Sequence, residues 1–270
     1  MKKFITFIGA GNMAEALISG FLKKNIVPRN CLTAFDIKGK RLIYLKKKYE
    51  IRTEKKNEKA LRNADIIFLA VKPQQIKDVL TEISVFIKKS QLIISLAAGV
   101  TTKFIEKYLK KGTPVVRSMP NMPALVGEGA TGICKGAWAK NNHLEIAEKL
   151  FLTVGKVLPF NEKNINAVTA LSGSGPAYVF YLTEALEKAG RSLGLSKKAS
   201  EILSRQTVFG AGKLLKESGL SPKDLRVKVT SPGGTTAAAI NYFEEKRFLS
   251  IFYGALKKAE KRARELSSPR

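Results

Sequence analysis

Two glycine-bearing turns, one near each end of the chain, hold the residue types best suited to chemistry. The first is Gly9-Ala10-Gly11-Asn12-Met13-Ala14, set between the apolar run "KKFITFI" and a segment with apolar residues at helical spacing (Met13, Ala16, Leu17, Phe21). Strand, tight turn and helix follow one another: Gly9 permits the turn, Gly11 lets the backbone approach a pyrophosphate, and Ala14 stands where a third glycine usually packs helix against strand. The second is "VTSPGGTTAAAI", Val229 to Ile240, in which Pro232 breaks what precedes it and Gly233 and Gly234 allow positive φ and close backbone approach. The alanine run after Thr235 and Thr236 reads as a helix start. Free backbone N–H groups and threonine hydroxyls converge there, which suits a small anion such as a carboxylate. A plain turn with an N-capped helix uses the same residues, so this stretch alone leaves both readings open.

The elements around the first turn are those of a nucleotide site. "CLTAFD" is a strand candidate ending in Asp36, near where an acidic side chain bonds the adenosine ribose hydroxyls. "ADIIFLAV", "QLIISLAAG" and "TPVVRSM" follow, separated by helix-like stretches such as "QQIKDVLTEISVFIKK" and "TKFIEKYLKK". Alternating strands and helices predict an α/β fold with a Rossmann-like, doubly wound parallel sheet, whose ligand crevice lies at the C-terminal strand ends. "VKPQ", Val71 to Gln74, and "AAGV", Ala97 to Val100, leave two of those strands. A surface lysine and tight packing explain Lys72 and the Ala-Ala-Gly run equally well one at a time; taken with the glycine turn, they indicate a nucleotide crevice.

After "GKVLPF" the strand alternation stops, and from about residue 164 the chain reads as helices. The expected division is a dinucleotide-binding domain over 1–160 and an all-α domain over 161–270. "LSGSGPAYVF" offers Ser174 as an N-cap and Pro176 in a first helical turn. The helices carry broad apolar faces (Phe180, Leu182, Ala185, Leu186, Phe209, Leu214, Leu215), more than a small helical unit covers alone, which predicts dimerisation.

Composition narrows the alternatives. The chain has 270 residues, 44% of them hydrophobic, and a net charge of +26. Its lysines and arginines are scattered over predicted helices and loops without a recognition-helix, zinc-finger or RNA-binding signature, so solvated faces are expected rather than a nucleic-acid partner. No apolar run is long enough to span a bilayer, and the N-terminus lacks a signal-peptide h-region. Cys31 and Cys134 lie far apart and suggest neither a metal site nor a disulfide; a reducing cytoplasm fits. The single histidine, His143, sits near a helix start away from any strand end, so a dehydrogenase using a histidine acid/base has no candidate. A lysine-based 3-hydroxyacid dehydrogenase remains a rival, but it should lack the Thr-Ser-Pro-Gly-Gly-Thr-Thr turn.

In order and spacing, "FIGAGNMAEALISG", "DIIFLAVKP", "MPNMPALVGEG", "LSGSGPAYVF" and "VTSPGGTTAAAI" resemble the pyrroline-5-carboxylate reductase family over nearly the whole chain. The resemblance implies an N-terminal dinucleotide-binding domain, a helical C-terminal dimerisation domain, a homodimer that in some members builds a decamer, and NAD(P)H-dependent reduction of 1-pyrroline-5-carboxylate to L-proline. It assigns the dinucleotide to Ile8, Gly9, Ala10, Gly11, Asn12, Met13, Asp36, Asn57, Ala70, Val71, Lys72, Pro73 and Ala97. Substrate falls to Val229, Ser231, Gly233, Gly234, Thr235 and Thr236, with Thr236 hydrogen-bonded to the ring nitrogen as the catalytic residue. Many members end the second strand in small polar residues or Asn-Arg, suited to a 2′-phosphate; here Asp36-Ile37 stands instead, and a carboxylate favours NADH over NADPH. Lys38, Lys40 and Arg41 oppose that preference.

Overall fold

The computed structural model describes residues 2–267. The short apolar runs become central strands because residues buried on both sheet faces must be apolar throughout. These are β1 (Ile5–Ile8), β4 (Ile66–Leu69) and β5 (Leu92–Ser95), in which every residue is buried. Between them lie α1 (Asn12–Lys23), β2 (Leu32–Phe35), α2 (Gly39–Tyr49), β3 (Arg52–Glu54), α3 (Asn57–Leu61) and α4 (Ile76–Ile83). Next come α5 (Thr102–Glu106), β6 (Val115–Met119), β7 (Gly129–Lys135), α6 (Asn141–Phe151), β8 (Gly155–Pro159) and α7 (Ile165–Val168).

The eight strands form one sheet in the order β3-β2-β1-β4-β5-β6-β7-β8. The doubly wound sheet is as expected, with one correction: β7 runs antiparallel to β6, while β8 pairs parallel with β7. The reason is the connection. Between β6 and β7 the chain makes a short 3-10 turn over Met122–Val126, closed by Gly127 at φ 81°. So short a link cannot cross over the sheet, and the next strand must return antiparallel. Strands β3 and β7 have no apolar run in the sequence to announce them: β3 is Arg-Thr-Glu on the sheet edge, and β7 opens Gly-Ala-Thr-Gly.

Helices cover both faces. On one side Phe7 stacks on Phe68 at 4.7 Å, and Phe151 meets Phe68 edge-on at 6.1 Å, all three fully buried. Truncating one of these rings costs about 3–5 kcal/mol. On the other side Ile67, Leu69, Ile93 and Val115 pack with Ile76, Leu80 and Ile83 of α4.

The chain divides into two compact units, residues 1–174 with 259–270, and residues 175–258. The second holds α8 (Gly175–Ser192), α9 (Lys197–Glu217), α10 (Pro222–Lys228), α11 (Thr235–Glu245) and the start of α12 (Phe248–Ser267). Helices α8 and α9 pair closely at Gly190, where a Cβ would lie 2.9 Å from Ser200 Oγ. The apolar residues read as a broad face stay open: Phe180, Leu182, Phe209 and Leu214 are all exposed. Ser174 does not act as an N-cap. A π-helical turn over Thr169–Gly173 brings the chain to Ser174 already helical (φ −86°, ψ −18°), with its N–H donating to the Thr169 carbonyl. No helix among the described residues is long and apolar enough to cross a membrane.

Candidate dinucleotide crevice and substrate turn

Strand register assembles the first site. Ile8 lies beside Phe35 and Leu69, and Leu69 beside Ser95, so Gly9, Asp36, Ala70 and Leu96 leave the sheet at one level. The strand order reverses there, at β1, which is where an open α/β sheet forms its ligand crevice. Gly9 donates to the Phe35 carbonyl and Ala70 to the Ile8 carbonyl, each at 2.8 Å. Gly9 has φ 96°, and a Cβ on it would sit 2.6 Å from the Ala70 oxygen, so the fold itself requires glycine. Gly11 differs, since a Cβ there meets no atom within 4 Å and its φ is −71°. The chain leaves open space in front of it.

Helix α1 starts at Asn12 with Gly11 as N-cap and no side-chain cap. Its first intrahelical bond is Glu15 N–H to the Gly11 carbonyl at 3.0 Å, which leaves the N–H groups of Asn12, Met13 and Ala14 ahead of it. Ala14 is fully buried, as its place in the motif demands. Asp36 accepts from Ala10 N–H on Oδ2 and from Lys38 N–H on Oδ1, both at 2.8 Å. Asn57, 4% exposed at the start of α3, donates through Nδ2 to Glu82 at 2.7 Å, while its buried Oδ1 has no partner. A buried acceptor left orphaned is costly unless a donor reaches it. Ala70 and Val71 are half-buried, Lys72 and Pro73 exposed; Ile8 and Ala97 are buried walls, with Ala97 N–H 3.3 Å from Ser95 Oγ. An open glycine, unpaired helix N–H groups and an orphaned acceptor fit a dinucleotide.

Charged groups that the motif does not contain surround this turn. Arg41, in the first turn of α2, donates to the Ala10 carbonyl through Nε and lies 3.4 Å from the Gly11 carbonyl through Nη2. The same Nη2 pairs with Glu15. Glu15 also accepts from Lys48 Nζ at 3.0 Å and from the Tyr44 and Tyr49 hydroxyls at 2.9 Å. Burial by itself would push the Glu15 carboxyl up, but bonds from Lys48, Arg41, Tyr44 and Tyr49 overcome it and hold the group down at about 2. Burial and the carboxylate of Glu15 push the Tyr49 hydroxyl up. The spacing of Arg41, Tyr44 and Lys48 along one face of α2 is the sequence signal that could have found this cluster.

The second turn is built differently. Gly233 has φ 69°, while Gly234 is extended (φ −80°, ψ 173°), so only one of the two glycines uses a positive φ. Gly234 N–H donates to the Ser231 carbonyl at 3.1 Å, closing the turn, and Gly234 is the N-cap of α11 with no side-chain cap. The first helical bond is Ala238 N–H to the Gly234 carbonyl, so Thr235, Thr236 and Ala237 present N–H groups ahead of it. Val229, Ser231, Gly233 and Thr235 are exposed and Thr236 is half-buried.

Two further motifs meet in the first unit. Asn121 of "MPNMP" donates to the Ser172 carbonyl and accepts from Ala130 N–H, each at 2.9 Å, binding β7 to the "LSGSGP" segment. His143 accepts from Lys140 N–H at 3.0 Å at the start of α6; burial and the charge of Lys140 push its pKa down.

Comparison with known proteins gives this geometry its family. Residues 162–266 match a family model described as "Pyrroline-5-carboxylate reductase dimerisation", and residues 4–99 one described as "NADP oxidoreductase coenzyme F420-dependent". The chain is 41% identical over 264 residues to the pyrroline-5-carboxylate reductase of Pseudomonas aeruginosa, covering 97% of this chain and 96% of that one. The solved pyrroline-5-carboxylate reductase of Coxiella burnetii is 41% identical, covers 100% of both chains and superposes with a TM-score of 0.94. That of Plasmodium falciparum, solved with NADP bound, is 30% identical, covers 98% of each chain and gives a TM-score of 0.85. With a Rossmann-like sheet, a helical dimerisation domain and likeness along its whole length, the chain belongs to the pyrroline-5-carboxylate reductase family of oxidoreductases.

Proposed function

We propose that this protein reduces 1-pyrroline-5-carboxylate to L-proline, the last step of proline biosynthesis, with residues 1–160 holding NAD(P)H and residues 161–270 dimerising and carrying the substrate turn. The observation that carries the reading is the second turn: a positive-φ glycine followed by an uncapped helix start bearing Thr235 and Thr236. Backbone groups of the turn from Ser231 through Thr235, with the N–H groups that open α11, hold the substrate carboxylate, a monoanion that a helix N-terminus stabilises without a cationic side chain. Val229 offers apolar surface to the ring, and the Thr236 hydroxyl hydrogen-bonds the ring nitrogen, fixing the direction of the C=N bond. NAD(P)H, when bound, supplies a hydride to the imine carbon; a proton completes the amine. A protonated imine is already electrophilic, so the demand on the chain is positioning.

On the nucleotide side, the N–H groups opening α1 face the pyrophosphate, Asn57 offers its orphaned Oδ1 toward the adenosine end, and Ile8, Ala70 to Pro73 and Ala97 wall the crevice. Each Asp36 oxygen already takes one backbone N–H and keeps a lone pair for a ribose hydroxyl, while its charge opposes a 2′-phosphate. We assign a preference for NADH on that basis. The reading places the enzyme in the cytoplasm as a homodimer, the unit from which some members of the family build a decamer, with no nucleic-acid partner.

The test is the oxidation of NADH and of NADPH, followed separately by absorbance with 1-pyrroline-5-carboxylate as substrate. Substrate-dependent oxidation of both, faster with NADH, is expected; oxidation of neither sinks the reading. Thr236→Ala should lower turnover strongly with nucleotide binding intact, and unchanged turnover would remove Thr236 from the mechanism.

A further inference from the structure

The two peptide groups flanking Ala10 are each gripped by a charged side chain, one from the β2–α2 connection and one from the first turn of α2. Asp36 takes the N–H of Ala10 at 2.8 Å, and Arg41 Nε takes its carbonyl, with Nη2 reaching the Gly11 carbonyl at 3.4 Å. Arg41 is itself held. Glu15, one turn into α1, takes Arg41 Nη2 and is fixed by Lys48, Tyr44 and Tyr49, while Arg41 lies over the Tyr44 ring at 4.9 Å. The side chains of Arg41 and Glu15 are 24% and 14% exposed. In a doubly wound fold, an arginine just past the second strand is the group expected to read a 2′-phosphate. Here Nε and Nη2 of that guanidinium turn inward, onto two carbonyls and a carboxylate.

From this arrangement we propose that Arg41, oriented by Glu15, is a positioning residue that braces the Gly9–Gly11 turn for either nucleotide, and not a reader of the 2′-phosphate. The proposal rests on the reading of that turn as the dinucleotide site. The chemistry is directional: a carbonyl that accepts from Arg41 points toward α2, so the N–H groups beyond it point into the crevice. The fork is required. A planar guanidinium serves two carbonyls and Glu15 together, whereas a lysine ammonium is a point charge on a flexible stem. Glu15 also needs its partners, because an uncompensated carboxylate beside the helix N-terminus would oppose a bound pyrophosphate.

The experiment titrates NADH and NADPH into the full-length protein by nicotinamide fluorescence, with steady-state kinetics on 1-pyrroline-5-carboxylate alongside. Arg41→Met should weaken NADH and NADPH by the same factor, about tenfold, as expected for lost charge-assisted hydrogen bonds. At saturating nucleotide, kcat and the KM for the imine should stay within about twofold of wild type, because the loss is in uniform binding. Arg41→Lys should not restore affinity, and Glu15→Gln, nearly isosteric, should weaken both nucleotides in the same direction. Weakening of NADPH alone, or rescue by Arg41→Lys, would overturn the proposal, since a phosphate reader behaves that way. Nucleotide affinities unchanged in both Arg41→Met and Glu15→Gln would overturn it as well. Wild-type protein that binds neither nucleotide would overturn the underlying reading together with this one.

Discussion

Glu162→Ala should be among the most damaging single changes outside the two turns, through a group it leaves behind. Arg117 on β6 is 2% exposed; its Nη1 lies 3.3 Å from Glu162 Oε1, and its Nη2 has no partner. Glu162 also accepts the Thr102 N–H at 2.7 Å and the Thr102 hydroxyl at 2.6 Å, closing the start of α5. Removing one partner of a buried ion pair costs about 3–5 kcal/mol, because the remaining charge stays desolvated. The Glu162 side chain is 29% exposed, so water can enter where it stood and relieve part of that cost. A net loss of about 3 kcal/mol follows, which lowers the melting temperature by roughly 6–12 °C for a chain of this size. The assay is thermal unfolding followed by Trp138 fluorescence at fixed protein concentration, since self-association shifts apparent stability. The cause is separable from simple loss of contacts. Adding Arg117→Met replaces the stranded charge with an apolar side chain of similar reach, so the double variant should melt higher than Glu162→Ala alone. A single variant within about 2 °C of wild type, or a double variant that melts lower still, refutes the reasoning.

The remaining predictions concern the turn, acid stability and thiol chemistry. Gly9→Ala forces a Cβ to within 2.6 Å of the Ala70 oxygen at φ 96°, so nucleotide affinity and melting temperature should both fall; Gly11→Ala meets nothing in the chain, so titration should show weaker nucleotide binding with at most about 1 kcal/mol lost from the fold. Equal destabilisation by the two would refute the distinction. Glu15 is held at about 2 against an ordinary 4.5, so its cluster contributes fully above about pH 4.5 and loses that contribution as the pH falls toward 2. The melting-temperature gap between wild type and Glu15→Gln should therefore shrink across that window; a constant gap would show that the cluster is not ionised as described. Burial, with the Glu162 carboxylate adding to it, pushes the Cys134 thiol up to about 12. Iodoacetamide at pH 8 should leave it unlabelled in the folded protein by mass spectrometry, and ready labelling would contradict its burial.

Much of the fold was readable because local pattern and tertiary role coincide. β1, β4 and β5 are apolar throughout since they are buried on both faces, and the Gly9 turn is spelled out by steric needs that other residues cannot meet. β3 and β7 were not readable: one is a polar edge, the other carries two glycines, and their strand character comes from pairing with neighbours. Ser174 looks like a cap in sequence, yet a cap requires an extended residue before the helix, and the π-helical turn ahead of it removes that condition. The Glu15 and Arg41 cluster escaped because its members lie on two helices, brought together by packing of α1 beside α2 rather than by sequence proximity.

The helices that open at the two turns show what the chain gives up for them. α9 and α10 begin with Ser196 and Ser221, whose hydroxyls accept from Ala199 N–H and Asp224 N–H, and α5 begins with Thr101 bonded to Phe104 N–H. Such caps each stabilise a helix by about 1 kcal/mol relative to alanine. α1 and α11 begin after Gly11 and Gly234, both extended and neither supplying a side-chain acceptor; α2, α3 and α4 also start without a side-chain cap bond, but not after a glycine. A serine at Gly11, where a Cβ meets nothing, would satisfy one of the N–H groups that open α1, whereas a Cβ at Gly234 would collide with Ser231 Oγ. The surroundings then divide the work. At α1 the acidic Asp36 and Glu15 and the basic Arg41 and Lys48 surround the turn, so its backbone direction is fixed by the chain itself, as the proposed dianionic pyrophosphate would need. From Ser231 to Thr236 there is no ionised side chain in the turn itself, only N–H groups and hydroxyls, which suit the single carboxylate of the proposed substrate. One helix start is braced with charge and the other is left neutral, a difference that matches the two anions the proposed function assigns to them.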